Sequence, residues 1–413
     1  MSMLDSSSPS HASLSAPLFK AAAEGIPLLG PGFTDARNGE WTLLHAPRDV
    51  LCYEKNLPSM ALEEMDAFCQ NIPKNGGVVG YLSYEVATAI EPTLRLPPSP
   101  DGLPKVWMKR FDKLEQIALK GQREETPSLS PFKTKDEVSA DQYRRQVAEV
   151  IEHIRQGDIF QANISRKLSA EFDHAPQLAA TLFAKLGAKG FAPYAAFLPL
   201  PGGAVLSNSP ELFLKISHRN IMAEPIKGTR PRGRGREEDQ ALAAALAGDE
   251  KDRAENIMIA DLMRNDLSKV CEDGSIREEA ICALRTLPHI HHLYSRISGV
   301  LREDISPMRA LLAAFPCGSV TGAPKHRAMQ IIANQEREGR GPYCGAIFFI
   351  RKDETGHSQA VFSVPIRTGV LTYKDDRANL SVRAGGGVTI LSHPDEEYQE
   401  TIHKAYPFQA MAT

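Results

Sequence analysis

Apolar residues fall into short runs with alternating or continuous patterning, punctuated by glycine, proline and polar turns. "GGVVGYLSYEV" (76–86) reads as a strand entered through a glycine turn. "YAAFLPL", "AVLSNSPELFLKIS", "CGAIFFIR", "QAVFSVPIRTGVL" and "ANLSVRAGGGV" read as further strands, and "DIFQANISRKLSAEF" has β character. Several follow one another through turns instead of alternating with helices. That predicts an α+β chain of antiparallel sheets with helices outside them, not a doubly wound parallel sheet. The clearest helix starts at Ser139, where Ser139 and Gln142 form a capping-box signature. Tyr143, Val147, Val150, Ile151 and Ile154 then share one face until Gly157.

The start, "MSMLDSSSPSHASLSAP", is rich in serine and proline and lacks a basic segment followed by an apolar one. Residues 1–17 are therefore expected to be a disordered tail and not a signal peptide. The Pro-containing stretch "REETPSLSPFKTKDE" (123–137) is the best internal boundary. It divides an N-terminal part, 18–135, from a larger region, 136–413.

Composition narrows the classes. The 413 residues carry a formal net charge of −3, which argues against a general nucleic-acid binder. No apolar run approaches the roughly 18 residues of a membrane span. Six scattered cysteines, with no CxxC pair, predict reduced thiols in a cytoplasmic protein. Cys317 and Cys344 lie in no nucleophile elbow and read as inert structural thiols.

Two helical segments place carboxylates three residues apart. These are Asp252 and Glu255 in "DEKDRAENIMIADLMRNDL", and Glu397 and Glu400 in "HPDEEYQETIHKA", where Pro394 suits a first turn. Together they could line an oxygen site for Mg²⁺, although such pairs also occur on solvated faces. "GSVTGAPK" (318–325) fails as a phosphate loop, because no Gly-Lys-Ser/Thr follows and Pro324 removes a donor. "AGGG" (384–387) allows close backbone approach to an anion, or is a plain turn.

"EPIKGTRPRGRGREED" (224–239) concentrates Lys227 with Arg230, Arg232, Arg234 and Arg236 on a segment broken by glycine and proline. A basic patch or a surface turn would account for it. A reactive lysine is the third reading. Lysine is nucleophilic only when neutral, and lowering its pKa from about 10.4 to about 7–8 takes roughly 3–4 kcal/mol of desolvation or like-charge repulsion. Arg230 and Arg232 are expected to supply some of that repulsion.

Taken together, "GDIFQANISRKL", "SNSPELFL", "PIKGTRPRG", "DEKDRAENIMIADLMRNDLSKV", "HHLYSRISGVL", "FPCGSVTGAPKHRAMQII", "YCGAI", "PIRTG" and "AGGGV" with "EEYQET" resemble the chorismate-utilising enzymes in family order. These are the first components of anthranilate synthase and aminodeoxychorismate synthase, with the isochorismate and salicylate synthases. The resemblance implies a sandwich of large antiparallel sheets.

It also implies roles. The water-adding members carry a lysine base where this chain has Gln161, an amide that takes up no proton near neutral pH. Lys227 stands where the aminodeoxychorismate synthases have lysine and the anthranilate synthases alanine. This implies a covalent Lys227 intermediate and amination of chorismate at C4, a step toward p-aminobenzoate and folate. Ortho-amination of the anthranilate synthase type is the alternative. Glu211 matches the general acid, and His292 a histidine near the ring. Glu255 and Glu400 match Mg²⁺ ligands, with Asp252 and Glu397 as outer carboxylates. Gly228, Thr229, Gly385, Gly386, Gly387 and Arg367 match substrate contacts. The chain shows no glutaminase elbow, which implies a glutamine amidotransferase subunit supplying ammonia. Where the family has Gly-Tyr, this chain has Phe348 and Phe349, so one hydroxyl contact to substrate is expected to be missing.

Overall fold

A computed structural model describes residues 15–34, 39–118, 129, 132–188, 190–287 and 290–412. Its strands join into one continuous antiparallel ribbon. From one end, Arg277–Thr286 pairs with Ile290–Val300, which takes both Ile226–Pro231 and Asn220–Ala223 on its other edge. The ribbon continues through Leu212–Ser217, Ser358–Ser363, Ala346–Lys352 and Gly77–Leu82. Val106–Ile117, Trp41–Tyr53, Leu28–Leu29 and Tyr194–Leu200 follow. It then passes through Gly203–Ser209 and Thr368–Lys374, and ends on Arg377–Val388 beside Gln161–Asp173.

The two halves of the ribbon close face to face. One core holds Val79, Tyr81, Trp107 and Phe349 from the first half with Phe197, Val205, Leu371 and Leu380 from the second. This is the sandwich, with side chains interdigitating between sheets. A second core, with Val78, Leu82, Met108 and Phe348, lies under the helices Ala61–Gln70, Glu250–Ser268 and Pro307–Ala314. Strands buried on both faces need no alternation, which explains the continuous run "AIFFI" (346–350).

Phe348 and Phe349 fill these two cores. A β-carbon on Gly80 would come within 2.8 Å of the Phe348 ring, and one on Gly77 within 2.5 Å of the Phe349 ring. The bare glycines of the neighbouring strand make room for both rings. Both rings are buried and pack internally.

The helix Ala140–Arg155 forms as its pattern predicts. Ser139 accepts a hydrogen bond from the Gln142 N–H at 3.2 Å, and Tyr143, Val147 and Val150 are buried against Ala162, Ile164 and Val388. The N-terminal expectation needs correction. A helix runs from Ser15 to Glu24 and takes in the last positions of the supposed tail, because Leu18 and Ala21 pack into the sandwich core. Residues 1–14 lie outside the described residues, as does most of the boundary stretch 123–137. No described helix is long and apolar enough to cross a membrane.

Candidate active site

Lys227 lies on a strand, not on a broken loop. Ile226–Pro231 pairs with Ile290–Val300, and Gly228, at φ +73°, inserts a bulge. Lys227 therefore stands opposite Leu293, while Thr229 is brought opposite His292. Thr229 Oγ1 and His292 Nδ1 are 2.9 Å apart. No other residue type fits well at 228. The backbone is left-handed, and a β-carbon would meet the Asp252 side chain at 2.8 Å.

The arginines next to Lys227 are already neutralised. Arg230 Nη2 lies 2.9 Å from Asp249 Oδ2 and 3.1 Å from Asp252 Oδ2, and Arg232 makes a two-pronged pair with Asp239 at 2.7 and 2.8 Å. The like-charge repulsion expected from Arg230 and Arg232 is therefore corrected. The charges nearest the amine are acidic, because Lys227 acts electrostatically on Glu211, Glu255 and Glu400.

The half-buried Lys227 side chain turns toward the glycine strand. Its Nζ lies 3.4 Å from the Ser319 carbonyl oxygen, and a β-carbon on Gly387 would stand 3.3 Å from it. The same imagined carbon would touch Gln161 Nε2 at 2.3 Å, so Lys227 and Gln161 flank one glycine. Gln161 is 1% exposed, and its Oε1 has no hydrogen-bond partner.

Glu211 follows Ser209 and Pro210 in the turn between two strands and is 7% exposed. Its backbone N–H donates to Ser209 Oγ at 3.2 Å, and its Oε1 accepts from Ser319 Oγ at 2.5 Å. Burial raises its pKa, which the Ser319 hydrogen bond and the Lys227 charge only partly oppose. A carboxyl whose pKa is raised in this way is better suited to serve as an acid.

The two acidic helices converge across the end of the glycine strand. Lys251 Nζ lies 3.5 Å from Glu397 Oε1, and it feels Glu255 and Glu400 as well. Burial raises the pKa of Glu255, Glu397 and Asp252. At Glu400 burial is outweighed by Lys404, 2.7 Å away, together with Lys227 and Lys251, and its pKa is lowered.

Glu397 Oε2 is buried with no hydrogen-bond partner, while Oε1 accepts from Ser392 Oγ at 2.6 Å. An unpaired buried acceptor costs about 1–3 kcal/mol unless a donor or cation meets it. A β-carbon on Gly386 would stand 2.6 Å from Glu397 Oε2 and 3.2 Å from Glu400 Oε2, so both oxygens face one bare glycine. This donor set fits a hard cation that takes few protein oxygens. A tighter cluster, His218, Asp353 and His357, lies on two hairpin turns. Its two histidine rings stack at 4.3 Å and 14°, and His218 Nε2 lies 3.1 Å from Asp353 Oδ2.

Arg367, at φ +50°, is exposed and without a carboxylate partner among the described residues. Burial lowers the pKa of His292, and the nearby Arg367 charge adds to the effect, so the ring stays neutral more readily. Gly385 points elsewhere. A β-carbon there would meet the Ile164 carbonyl at 2.5 Å, and the Gly385 carbonyl accepts from Lys404 Nζ at 2.8 Å.

Sequence reasoning missed Ser319, Lys251 and Lys404. Ser319 lies in a segment that fails as a phosphate loop and in one that carries the resemblance, but no role was attached to it. Lys404 follows Glu400 by four residues, the spacing of a helical ion pair. Cys317 and Cys344 are buried thiols with pKa pushed up to about 12, and they stay protonated.

A sandwich with an acid, an amine and two converging acidic helices along one glycine strand defines a class. Residues 35–410 match the chorismate binding enzyme family, and the chain belongs to it. It is 34% identical over 416 residues to a protein named anthranilate synthase component 1 3 of Haloarcula marismortui, covering 91% of this chain and 78% of the relative. It is 42% identical over 268 residues to aminodeoxychorismate synthase of Streptomyces pristinaespiralis, covering 65% of this chain and 36% of that protein. The crystal structure of anthranilate synthase component I from Streptococcus pneumoniae has a TM-score of 0.75 and 27% identity, over 90% of this chain and 92% of that one.

Proposed function

We propose that this chorismate-binding enzyme aminates chorismate at C4, giving 4-amino-4-deoxychorismate, as an aminodeoxychorismate synthase component I. The observation that carries this reading is the Lys227 amine, which faces Ser319 and Gly387 with the acid Glu211 held by the same Ser319.

In this reading Lys227 first gives up its ammonium proton to solvent. The freed amine then bonds to ring C2, and the two ring double bonds shift. The C4–O bond breaks, with Glu211 supplying the proton that lets the oxygen leave as water. The excess proton on the new secondary amine returns to the Glu211 carboxylate. Ammonia then bonds to C4, the double bonds shift back, and the C2–N bond breaks with the proton passing to the departing lysine nitrogen. Two displacements replace one difficult substitution.

Arg367 pairs with the enolpyruvyl carboxylate through its planar fork. His292 and Thr229 border the ring, and Gly228, Gly386 and Gly387 let the backbone approach it, with Gly385 behind them. Glu255 and Glu400 would hold Mg²⁺, with Asp252 and Glu397 orienting its water. When bound, the cation neutralises the ring carboxylate. Ammonia comes from a separate glutamine amidotransferase subunit.

A second reading, ortho-amination to anthranilate, is favoured by the greater share of the chain that the anthranilate synthase relative covers. Chromatography of the products from chorismate, Mg²⁺ and ammonium chloride, with and without an added lyase, separates the two. The C4 reading expects p-aminobenzoate only once the lyase is present. Anthranilate formed without it overturns that reading.

A further inference from the structure

We infer that Ser319 is a positioning residue that fixes the acidic proton of Glu211 on Oε2, the oxygen free to face the substrate. The inference rests on the reading of Glu211 as the general acid. It begins with hydrogen-bond directions. A serine hydroxyl has one proton to give, and Ser319 Oγ lies 2.5 Å from Glu211 Oε1 and 3.2 Å from Cys317 Sγ.

Burial keeps the Cys317 thiol protonated, with a pKa pushed up to about 12. Ser319 gives its one proton to Glu211 Oε1, and the protonated thiol can in turn donate to Ser319 Oγ. All three side chains are buried, so water does not compete for these positions. An Oε1 that accepts from Ser319 acts as the carbonyl oxygen of a carboxylic acid. The acid's own proton then lies on Oε2, from which it passes to the departing hydroxyl.

The turn around Ser319 serves the amine separately. Its main-chain oxygen accepts from Lys227 Nζ at 3.4 Å, and substituting the side chain leaves that oxygen in place. Removal of the hydroxyl thus tests the acid alone.

The test follows chorismate consumption by the full chain with Mg²⁺ and ammonium chloride across pH, a readout indifferent to which amino product forms. Removing a donor that favours the ionised carboxyl raises the pKa of the acid. S319A is therefore expected to lower kcat by about 10–100-fold, with KM within about 2-fold, and to move the alkaline limb of the kcat profile to higher pH. S319T, which keeps the hydroxyl, restores the wild-type limb. Should S319A fail to fold, S319C carries the test, because a thiol is a weaker donor of similar size.

An S319A or S319C profile superimposable on wild type overturns the inference. E211Q separates this failure from that of the general-acid reading. If E211Q is inactive while the S319A limb is unmoved, only the role of Ser319 falls. If E211Q consumes chorismate at the wild-type rate, the acid assignment falls and the inference with it.

Discussion

Gly386 faces Glu397 so closely that a β-carbon on the glycine would stand 2.6 Å from the carboxylate Oε2, which has no hydrogen-bond partner. The glycine keeps open the space in which the Glu397 and Glu400 oxygens meet. In G386A the added methyl forces the Glu397 carboxylate aside. The protein should fold, since only the far end of a side chain must move, and should bind Mg²⁺ at least about 10-fold more weakly by titration calorimetry. Unchanged Mg²⁺ binding in G386A would show that the Glu397 carboxylate has no part in holding the cation.

The covalent route can be read directly from mass. Intact-protein mass spectrometry after incubation with chorismate and Mg²⁺, without ammonia, should show the wild-type chain heavier by chorismate less one water. K227A should show no such species and should aminate at C4 at least about 1,000-fold more slowly. Full C4 amination by K227A would rule out the lysine intermediate.

Arg367 has no carboxylate partner among the described residues, so its charge is free for a ligand carboxylate. R367Q should raise KM for chorismate by about 10–100-fold and change kcat much less, because the lost interaction holds substrate and transition state alike. R367K keeps the charge and loses the fork, and should fall between the two. Steady-state kinetics decide it. A fall in kcat at unchanged KM would move Arg367 from binding to chemistry.

The buried acids set a pH dependence of stability. Burial raises the pKa of Glu397 in the fold, so the native state holds its proton at a pH where the unfolded chain has released it. That stability is fully present below the unfolded value, about 4.5, and is lost as pH rises through the folded pKa. E397Q, neutral throughout, should melt about 1–2 °C above wild type at pH 7–8 without Mg²⁺, and the gap should close toward pH 4.5. Adding Mg²⁺ should stabilise wild type more than E397Q. A melting difference that does not vary with pH would refute the assignment of Glu397 as a buried, proton-holding acid.

Much of the architecture was legible because it is written in local periods and turns. The capped helix after Ser139 and the continuous run of "AIFFI" follow from side chains meeting their own neighbours along the chain. The first-turn proline at 394 announced the helix that carries Glu397 and Glu400. Other features were misread for want of distant partners. Arg230 and Arg232 looked like a source of repulsion on Lys227, yet Asp249, Asp252 and Asp239 take up their charge. At position 349 the strand pairing sets the ring against Gly77, a neighbour that no local pattern names.

The sequence by itself determined the family, the elements and the stock of chemical groups: one amine, one acid, two carboxylate pairs and a run of glycines. Only the tertiary structure decided which of them meet. Strand pairing across the ribbon brings Gly387 to Lys227 and Gln161, and Ser319 to a glutamate 108 residues away. The physical reason is that local patterning fixes which face a side chain occupies, whereas convergence depends on long-range register, which no short window of sequence contains.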